Sequence, residues 1–456
     1  MALEVVILAA GQGTRMKSNL PKVLHRLGGV SLLQQQLKTV RKLNPERIHV
    51  VIGHGADQIK QALTEEDVNW VLQEKQLGTG HALQQALPGC QPVNSLLVLV
   101  GDTPLIGKET LETLTGLNAH LGVLTVVLDN PFGYGRIVRT EDNRISAIIE
   151  EKDASAEQKA IREINTGIMV AQVADFAAWL EKLNNDNAQG EYLLTDIVTL
   201  ANAENKTVIA SITPDEGEVM GINDMQQLAQ AERELQKRTA EELMRKGVQL
   251  LDPARFDVRG ELETGKGVVI DVNCIFEGKV VLEDGVKIGS NCFIRDCIIR
   301  RGSIVKPNSV LEESEVGVEC QVGPFARLRP GTRLAEAVSI GNFVEVKKSV
   351  IGKGTKASHL SYLGDATIGE QVNIGAGTIT CNYDGVNKHE THLGDNVFVG
   401  SNSALVAPIE ISDNVYIAAG STITKPVKAG SLSIARGRQR DIENWQSRKD
   451  NSSKKD

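Results

Sequence analysis

Short aliphatic runs alternate with amphipathic stretches along the first half of the chain. Residues 5–10, 48–53, 96–101 and 124–128 are near-continuous apolar runs of strand length. Such runs mark strands buried on both faces of a largely parallel sheet, with helices packed against it. Segment 224–247 behaves differently. It has no Gly or Pro before Gly247, is rich in strong helix formers, and ends at that glycine as at a C-cap. Met225, Leu228, Leu235 and Leu243 form only a thin apolar stripe, which predicts one exposed connecting helix.

Beyond Gly247 apolar residues recur every six positions: Ile270, Phe276, Leu282, Ile288 and Ile294. A four-residue step leads to Ile298, Ile304, Val310, Val316, Val322, Leu328, Leu334, Ile340 and Val346. Five-residue steps then open the runs Ile351, Ala357, Leu363 and Ile368, Ile374, and a last run spans Leu393, Val399, Leu405, Ile411, Ile417 and Ile423. An α-helix cannot hold one face at this period, because six residues rotate it through about 600°. A β-solenoid can, with one flat and one corner per hexapeptide and three flats per coil, which predicts about eight coils from Ile270 to Ile423. The long gap between Ile374 and Leu393 must loop out, and extruded loops on regular scaffolds commonly carry function.

Composition agrees with this division. Aromatics are 4% of the chain and Gly is 43 of 456 residues, as expected of a narrow aliphatic prism with many corners. A chain of 456 residues also exceeds one ordinary domain. The reading is therefore 1–223 as an α/β domain, 224–247 as a helical linker, 248–436 as the solenoid and 437–456 as a polar tail. A net charge of −8 excludes a surface that tracks a nucleic-acid backbone. No apolar stretch is long enough for membrane insertion, and the first strand has neither a basic segment before it nor a small-residue cleavage site after it. Cys90, Cys274, Cys292, Cys297, Cys320 and Cys381 make no C-x-x-C pair, which fits a reducing, cytoplasmic setting.

The sharpest local signal is Leu8-Ala9-Ala10-Gly11-Gln12-Gly13-Thr14-Arg15-Met16, followed by Pro21-Lys22. Glycines at a strand-to-helix turn let backbone N–H groups approach a phosphate chain, and Arg15, Lys17, Lys22 and Arg26 make the loop locally basic. It is neither a Walker loop nor the dinucleotide G-x-G-x-x-G pattern. The string resembles the signature of the sugar-1-phosphate nucleotidyltransferases. With the solenoid behind it, the chain is similar, from Val5 to Arg436, to the bacterial bifunctional N-acetylglucosamine-1-phosphate uridylyltransferases and glucosamine-1-phosphate acetyltransferases. Further matching strings are Gln76-Leu-Gly-Thr-Gly-His81, Gly101-Asp102-Thr-Pro-Leu, Gly133-Tyr-Gly-Arg136, Asn165-Thr-Gly167 and Gly221-Ile-Asn223.

That resemblance implies a Rossmann-like nucleotidyltransferase domain followed by a left-handed parallel β-helix of hexapeptide repeats. It implies that UTP and sugar contact Leu8, Ala9, Ala10, Gly11, Lys22, Gln73, Gly78, Thr79, Val100, Gly101, Asp102, Gly135, Glu150, Asn165 and Asn223. Arg15 and Lys22 would stabilise charge at the transferring phosphorus, and Asp102 with Asn223 would hold Mg²⁺. Val100 departs from the pattern, because relatives can carry Tyr there; a backbone contact survives the change. In the solenoid the resemblance makes His359 the general base that takes a proton from the attacking amine, a task that imidazole suits. Arg329, Lys347, Tyr362 and Asn373 would orient glucosamine 1-phosphate, and Ala376, Asn382, Tyr383, Ser401, Ala419 and Arg436 would contact acetyl-CoA. A homotrimer with a composite acetyl site is also implied.

Two other functions compete: a nucleotidyltransferase whose solenoid is structural or regulatory, and a binding protein that kept both folds without chemistry. The first would lack His359 and Asn382-Tyr383, and the second would lack Arg15, Lys22, Asp102 and His359. All are present.

Overall fold

The computed structural model describes residues 2–445. It divides into two compact units between Thr239 and Ala240. In the first, seven strands lie in the order Val208–Thr213, Leu121–Val127, Glu163–Gln172, Ser95–Val100, Leu3–Leu8, Arg47–Ile52, Asn69–Leu72. Glu163–Gln172 is antiparallel to both its neighbours, and the other pairings in this row are parallel. The hairpin Arg136–Arg139/Ile145–Ile149 hangs from Glu163–Gln172.

From Leu3–Leu8 the chain first adds strands on one side, then returns to add Ser95–Val100 on the other. The resulting switch point opens a crevice at the carboxyl ends of these two strands, where α/β sheets take their ligands. Val5, Ile7, Leu97 and Leu99 are fully buried among residues of one apolar layer, and Val6, Leu96 and Val98 among those of another, so both sheet faces are covered.

Met225–Arg245 is one helix. In the first unit Ala231 is fully buried beside Leu27, Leu32, Leu105 and Ile222, with Leu228 and Leu235 packed against them. In the second unit Ala240 and Leu243 join the solenoid core. The helix is therefore more buried than its leucines predict, because Ala231 and Ala240 complete the stripe without standing out as apolar residues. Met225 does remain exposed.

The second unit is a parallel β-helix. One flat carries eleven strands, from Gln249–Leu250 to Leu432–Ser433, so the stack extends beyond Ile270 and Ile423 in both directions. The other two flats form one continuous sheet because Phe256–Thr264 and Cys274–Leu282 run through the corner. The hexad is corrected in one stretch. Ile299, Val305 and Leu311 are fully buried, whereas Ile298 is 40% exposed and Ile304 and Val310 are only partly covered. Two five-residue steps, 294–299 and 311–316, replace the expected four-residue step. Adjacent aliphatic pairs (Ile298-Ile299, Ile304-Val305, Val310-Leu311) hid the choice, and pleat alternation lets only one of each pair face inward.

One row of corners adopts left-handed backbone geometry in coil after coil: Asn273, Asn291, Asn308, Phe325, Phe343, Leu360, Gly377, Asn402 and Gly420. Asn and Gly are the residues that tolerate it; Phe and Leu are strained there. The extruded loop is shorter than the gap in the pattern, because Ile379–Cys381 is a strand whose Thr380 faces inward. Residues 437–445 form no helix or strand, and the rest of the expected tail lies outside the described residues.

Candidate functional sites

At the switch point, backbone hydrogen bonds hold three strand ends together: Ala9 N donates to Val51 O at 2.8 Å, Gly101 N to Leu8 O at 2.9 Å and Gln73 N to Ile52 O at 2.8 Å. They frame a cavity of about 470 Å³. Its wall contains Leu8, Ala9, Ala10, Gly11, Lys22, Gln73, Gly78, Thr79, Val100, Gly101 and Asp102, eleven positions expected from sequence, together with Gln12, Gln76 and Glu191, which were not.

Two glycines are required by close approach. At Gly78 φ is +114°, and a β-carbon would lie 2.5 Å from Tyr192 O. At Gly101 it would lie 3.1 Å from Leu8 O. Gln73 is buried, and its amide donates to Gly78 O at 3.2 Å and meets His81 Nδ1 at 2.9 Å, so the Gln73–Thr79 wall is tied to itself. Val100 packs over Gly167, where a β-carbon would come within 2.9 Å of its side chain, and its carbonyl accepts from Gln36 Nε2 at 2.9 Å.

The charged centre is compact. Lys22 Nζ donates to Asp102 Oδ2 at 2.8 Å and to Asn223 Oδ1 at 3.2 Å, joining residues far apart in the chain. Arg15 is exposed on the short turn Thr14–Met16, which Met16 anchors by burying its own side chain. Tyr134 lies between these groups electrically. Burial chiefly, and then the Asp102 carboxylate, push its phenol above the usual range, against Arg15 and the Gly221 backbone, which pull it down.

Gly135, Glu150 and Asn165 form a second cluster outside the cavity wall. Asn165 N donates to Gly135 O at 2.9 Å, and a β-carbon on Gly135 would lie 3.5 Å from both Glu150 carboxylate oxygens. The ladder to Leu121–Val127 shifts register between Asn165 and Met169, a bulge of the kind that re-aims a side chain beside a site. Burial raises the Glu150 pKa, helped by Asp196, Asp153 and Glu191, while the Thr195 hydroxyl, which donates to Glu150 Oε1 at 3.1 Å, opposes it. Tyr134 lies inside the matching string Gly133-Tyr-Gly-Arg136 but had no role assigned to it, and Thr195 escaped sequence reasoning, since it stands in no distinctive pattern.

In the solenoid, His359 is exposed at a corner, directly above Asn342 in the preceding coil. Their side chains meet, His359 Nδ1 to Asn342 Oδ1, at 2.8 Å. The same corner continues upward. Asn402 N donates to Ala376 O at 2.7 Å, Gly420 N to Ser401 O at 2.8 Å, and Arg436 Nη1 to Ala419 O at 2.8 Å. His359, Ala376, Ser401 and Ala419 thus occupy successive rungs, as the ladders Ala357–Ile374, Ile374–Val399 and Val399–Ile417 require.

Arg329, Lys347 and Tyr362 share the next flat, through the registers Leu328–Val346 and Glu345–Tyr362. Glu345 accepts from Arg329 at 2.8 Å and holds its guanidinium charged. Asn382 Nδ2 donates to Asp365 at 2.5 Å and reaches the Tyr362 hydroxyl at 3.4 Å. Asn373 stands on the flat of His359 instead, paired with Lys356. The exposed loop carries Tyr383 and is braced by His389 against Asp384 at 2.7 Å. Its Lys388 lies against Lys347, and that ammonium lowers the Lys388 pKa. Sequence reasoning missed Asn342 and Lys388, because only the coil stacking brings each to its partner.

Comparison with known proteins covers both units. Residues 5–171 match a family model described as a MobA-like NTP transferase domain. Residues 258–342 match a GMPPB C-terminal domain, and residues 390–425 match the bacterial transferase hexapeptide of six repeats. The chain is 54% identical over 447 residues to a protein named Bifunctional protein GlmU from Pseudomonas entomophila, covering 98% of each. It is 54% identical over 446 residues to one from Marinobacter nauticus, covering 97% of this chain and 98% of the relative. A relative of the same name from Idiomarina loihiensis is 54% identical over 449 residues, covering 98% of each.

Proposed function

The chain belongs to the GlmU family of bifunctional proteins, and from that membership we propose two consecutive transfers that make UDP-N-acetylglucosamine. The solenoid moves an acetyl group from acetyl-CoA to glucosamine 1-phosphate. The Rossmann-like unit then moves uridylyl from UTP to N-acetylglucosamine 1-phosphate and releases pyrophosphate. The observation that carries this reading is the presence of two polar constellations in one chain: Lys22–Asp102–Asn223 at the switch point and Asn342–His359 on the solenoid.

For uridylyl transfer the nucleotide occupies the cavity from Leu8 to Gly11 and from Gln73 to Thr79. The sugar lies toward Gly135, Glu150 and Asn165, where Glu150 and Asn165 bind its polar groups. The sugar phosphate oxygen attacks the α-phosphorus of UTP, and Arg15 with Lys22 stabilises the charge that develops. Asp102 Oδ2 and Asn223 Oδ1 already converge on one cationic centre, the Lys22 ammonium, and such a pair of hard oxygen donors fits Mg²⁺, which takes few protein ligands. When bound, that ion neutralises triphosphate charge.

For acetyl transfer His359 takes the amine proton while Arg329, Lys347, Tyr362 and Asn373 orient the phosphosugar. Acetyl-CoA lies along Ala376, Ser401 and Ala419, with Asn382, Tyr383 and Arg436 beside it. A homotrimer completes this site. The exposed stack of Phe325 and Phe343, ring centroids 5.3 Å apart, with exposed Leu360 beyond, supports an interface at the His359 corner. No helix among the described residues is long and apolar enough to cross a membrane. Six cysteines free of disulfides support a cytoplasmic setting, and the role in cell-wall and lipopolysaccharide precursor supply is inferred from family membership alone.

The test monitors free thiol and pyrophosphate separately. His359→Ala abolishes thiol release from acetyl-CoA and spares pyrophosphate release, and Arg15→Ala does the reverse. Loss of both activities in either folded variant would overturn the two-site reading.

A further inference from the structure

His359 stands in a strained stretch of the solenoid. The three corners with bulky apolar residues in left-handed geometry are consecutive: Phe325, Phe343 and Leu360, the last two directly following Asn342 and His359. Below and above them the row is kept by Asn and Gly. Strain of this kind persists where the surrounding structure fixes a side chain for a purpose. Here the residues just before two of the strained corners are Asn342 and His359, and coil stacking sets them against each other in register.

The 2.8 Å contact joins His359 Nδ1 to the amide oxygen of Asn342. An amide oxygen only accepts, so Nδ1 must carry the hydrogen. A neutral imidazole with its hydrogen on Nδ1 has its lone pair on Nε2, and the second nitrogen is thereby readied as a base. The opposite arrangement, with the Asn342 amide nitrogen donating, would put the hydrogen on Nε2 and leave no base facing outward.

We infer that Asn342 is a positioning residue for acetyl transfer: it fixes the tautomer and ring orientation of His359, so that Nε2 receives the proton of the attacking amine. The inference rests on the general-base reading of His359. As the amine nitrogen forms its bond to the thioester carbonyl carbon, its proton passes to Nε2. The C–S bond then breaks with its electron pair on sulfur, and the same proton moves from Nε2 to the thiolate. Amide and free thiol leave, and His359 returns to its starting tautomer. Throughout, Nδ1–H stays on Asn342, whose carbonyl stabilises the transient imidazolium.

The full-length protein, its Asn342→Ala and Asn342→Asp variants and His359→Ala test this. Steady-state acetyl transfer is followed across pH by thiol release, uridylyl transfer and melting temperature are measured in parallel, and the nitrogen shifts of ¹⁵N-histidine report the tautomer. Asn342→Ala should lower kcat by about 10- to 100-fold, the usual loss when a group orienting a histidine is removed, with KM changed less than about threefold. Its His359 should no longer hold a single Nδ1–H tautomer. Asn342→Asp keeps the acceptor and adds charge, so it should recover most of kcat and move the acidic limb of the profile, where the imidazole must lose its proton, upward by about one unit. An unchanged kcat and tautomer in Asn342→Ala, with His359→Ala inactive, overturns the positioning role alone. Retained acetyl transfer in His359→Ala overturns the general-base reading first. If Asn342→Ala melts early, the Asn342→Asp profile decides: no upward shift overturns the inference.

Discussion

A β-carbon at Gly78 would sit 2.5 Å from one backbone atom and 2.8 Å from another, both in Tyr192. Gly78→Ala should therefore displace the Gln73–Thr79 wall, with at least about 1–2 kcal/mol lost to the left-handed backbone alone. Titration with UTP should show weakened binding, while acetyl transfer stays unchanged. Glu150 makes a prediction of the opposite sign. Its folded carboxyl titrates above the ordinary value, so its contribution to stability is fully present below the unfolded value and is lost as pH rises through the folded one. Glu150→Gln should raise the melting temperature at neutral pH, with the gain closing under acid, while KM for the phosphosugar in uridylyl transfer rises. At this scale the sequence was informative wherever a motif is contiguous: eleven expected positions meet in one cavity. It was silent where a partner comes from elsewhere, as Thr195 does to Glu150 and Asn342 to His359.

Elements that repeat were legible to within one residue, and that residue matters. A strand position on the wrong face exchanges core for solvent, and the pairs Ile298-Ile299 and Val310-Leu311 offered two apolar candidates each. Stability separates them. Ile299→Ala removes a fully buried side chain and should cost about 2–5 kcal/mol in denaturant unfolding, whereas Ile298→Ala, at 40% exposure, should cost under about 1 kcal/mol. Equal losses would contradict the two five-residue steps. The connecting helix forms as expected, but its buried stripe also relies on Ala231 and Ala240, which periodicity scored by leucines does not count.

On the scale of the whole molecule, the chain divides between Thr239 and Ala240 into two compact units, one built on two sheet-face layers and the other on the solenoid core. Heating should accordingly show ligand-specific responses. On the proposed assignment, UTP with Mg²⁺ at a hundred times its Kd should stabilise the unit that binds it by about 2.7 kcal/mol, and acetyl-CoA should do the same for the other. Calorimetry in which either ligand moved both transitions equally would contradict this. The rungs His359, Ala376, Ser401 and Ala419 carry a last consequence. Adjacent parallel strands lie about 4.8 Å apart, so three steps span roughly 14 Å. The corner is in effect a graduated scale with His359, the proposed base, at its zero mark. A short acetyl thioester could reach that mark yet leave the upper graduations unread, so discrimination among acetyl donors would fall on their length, measured in coils.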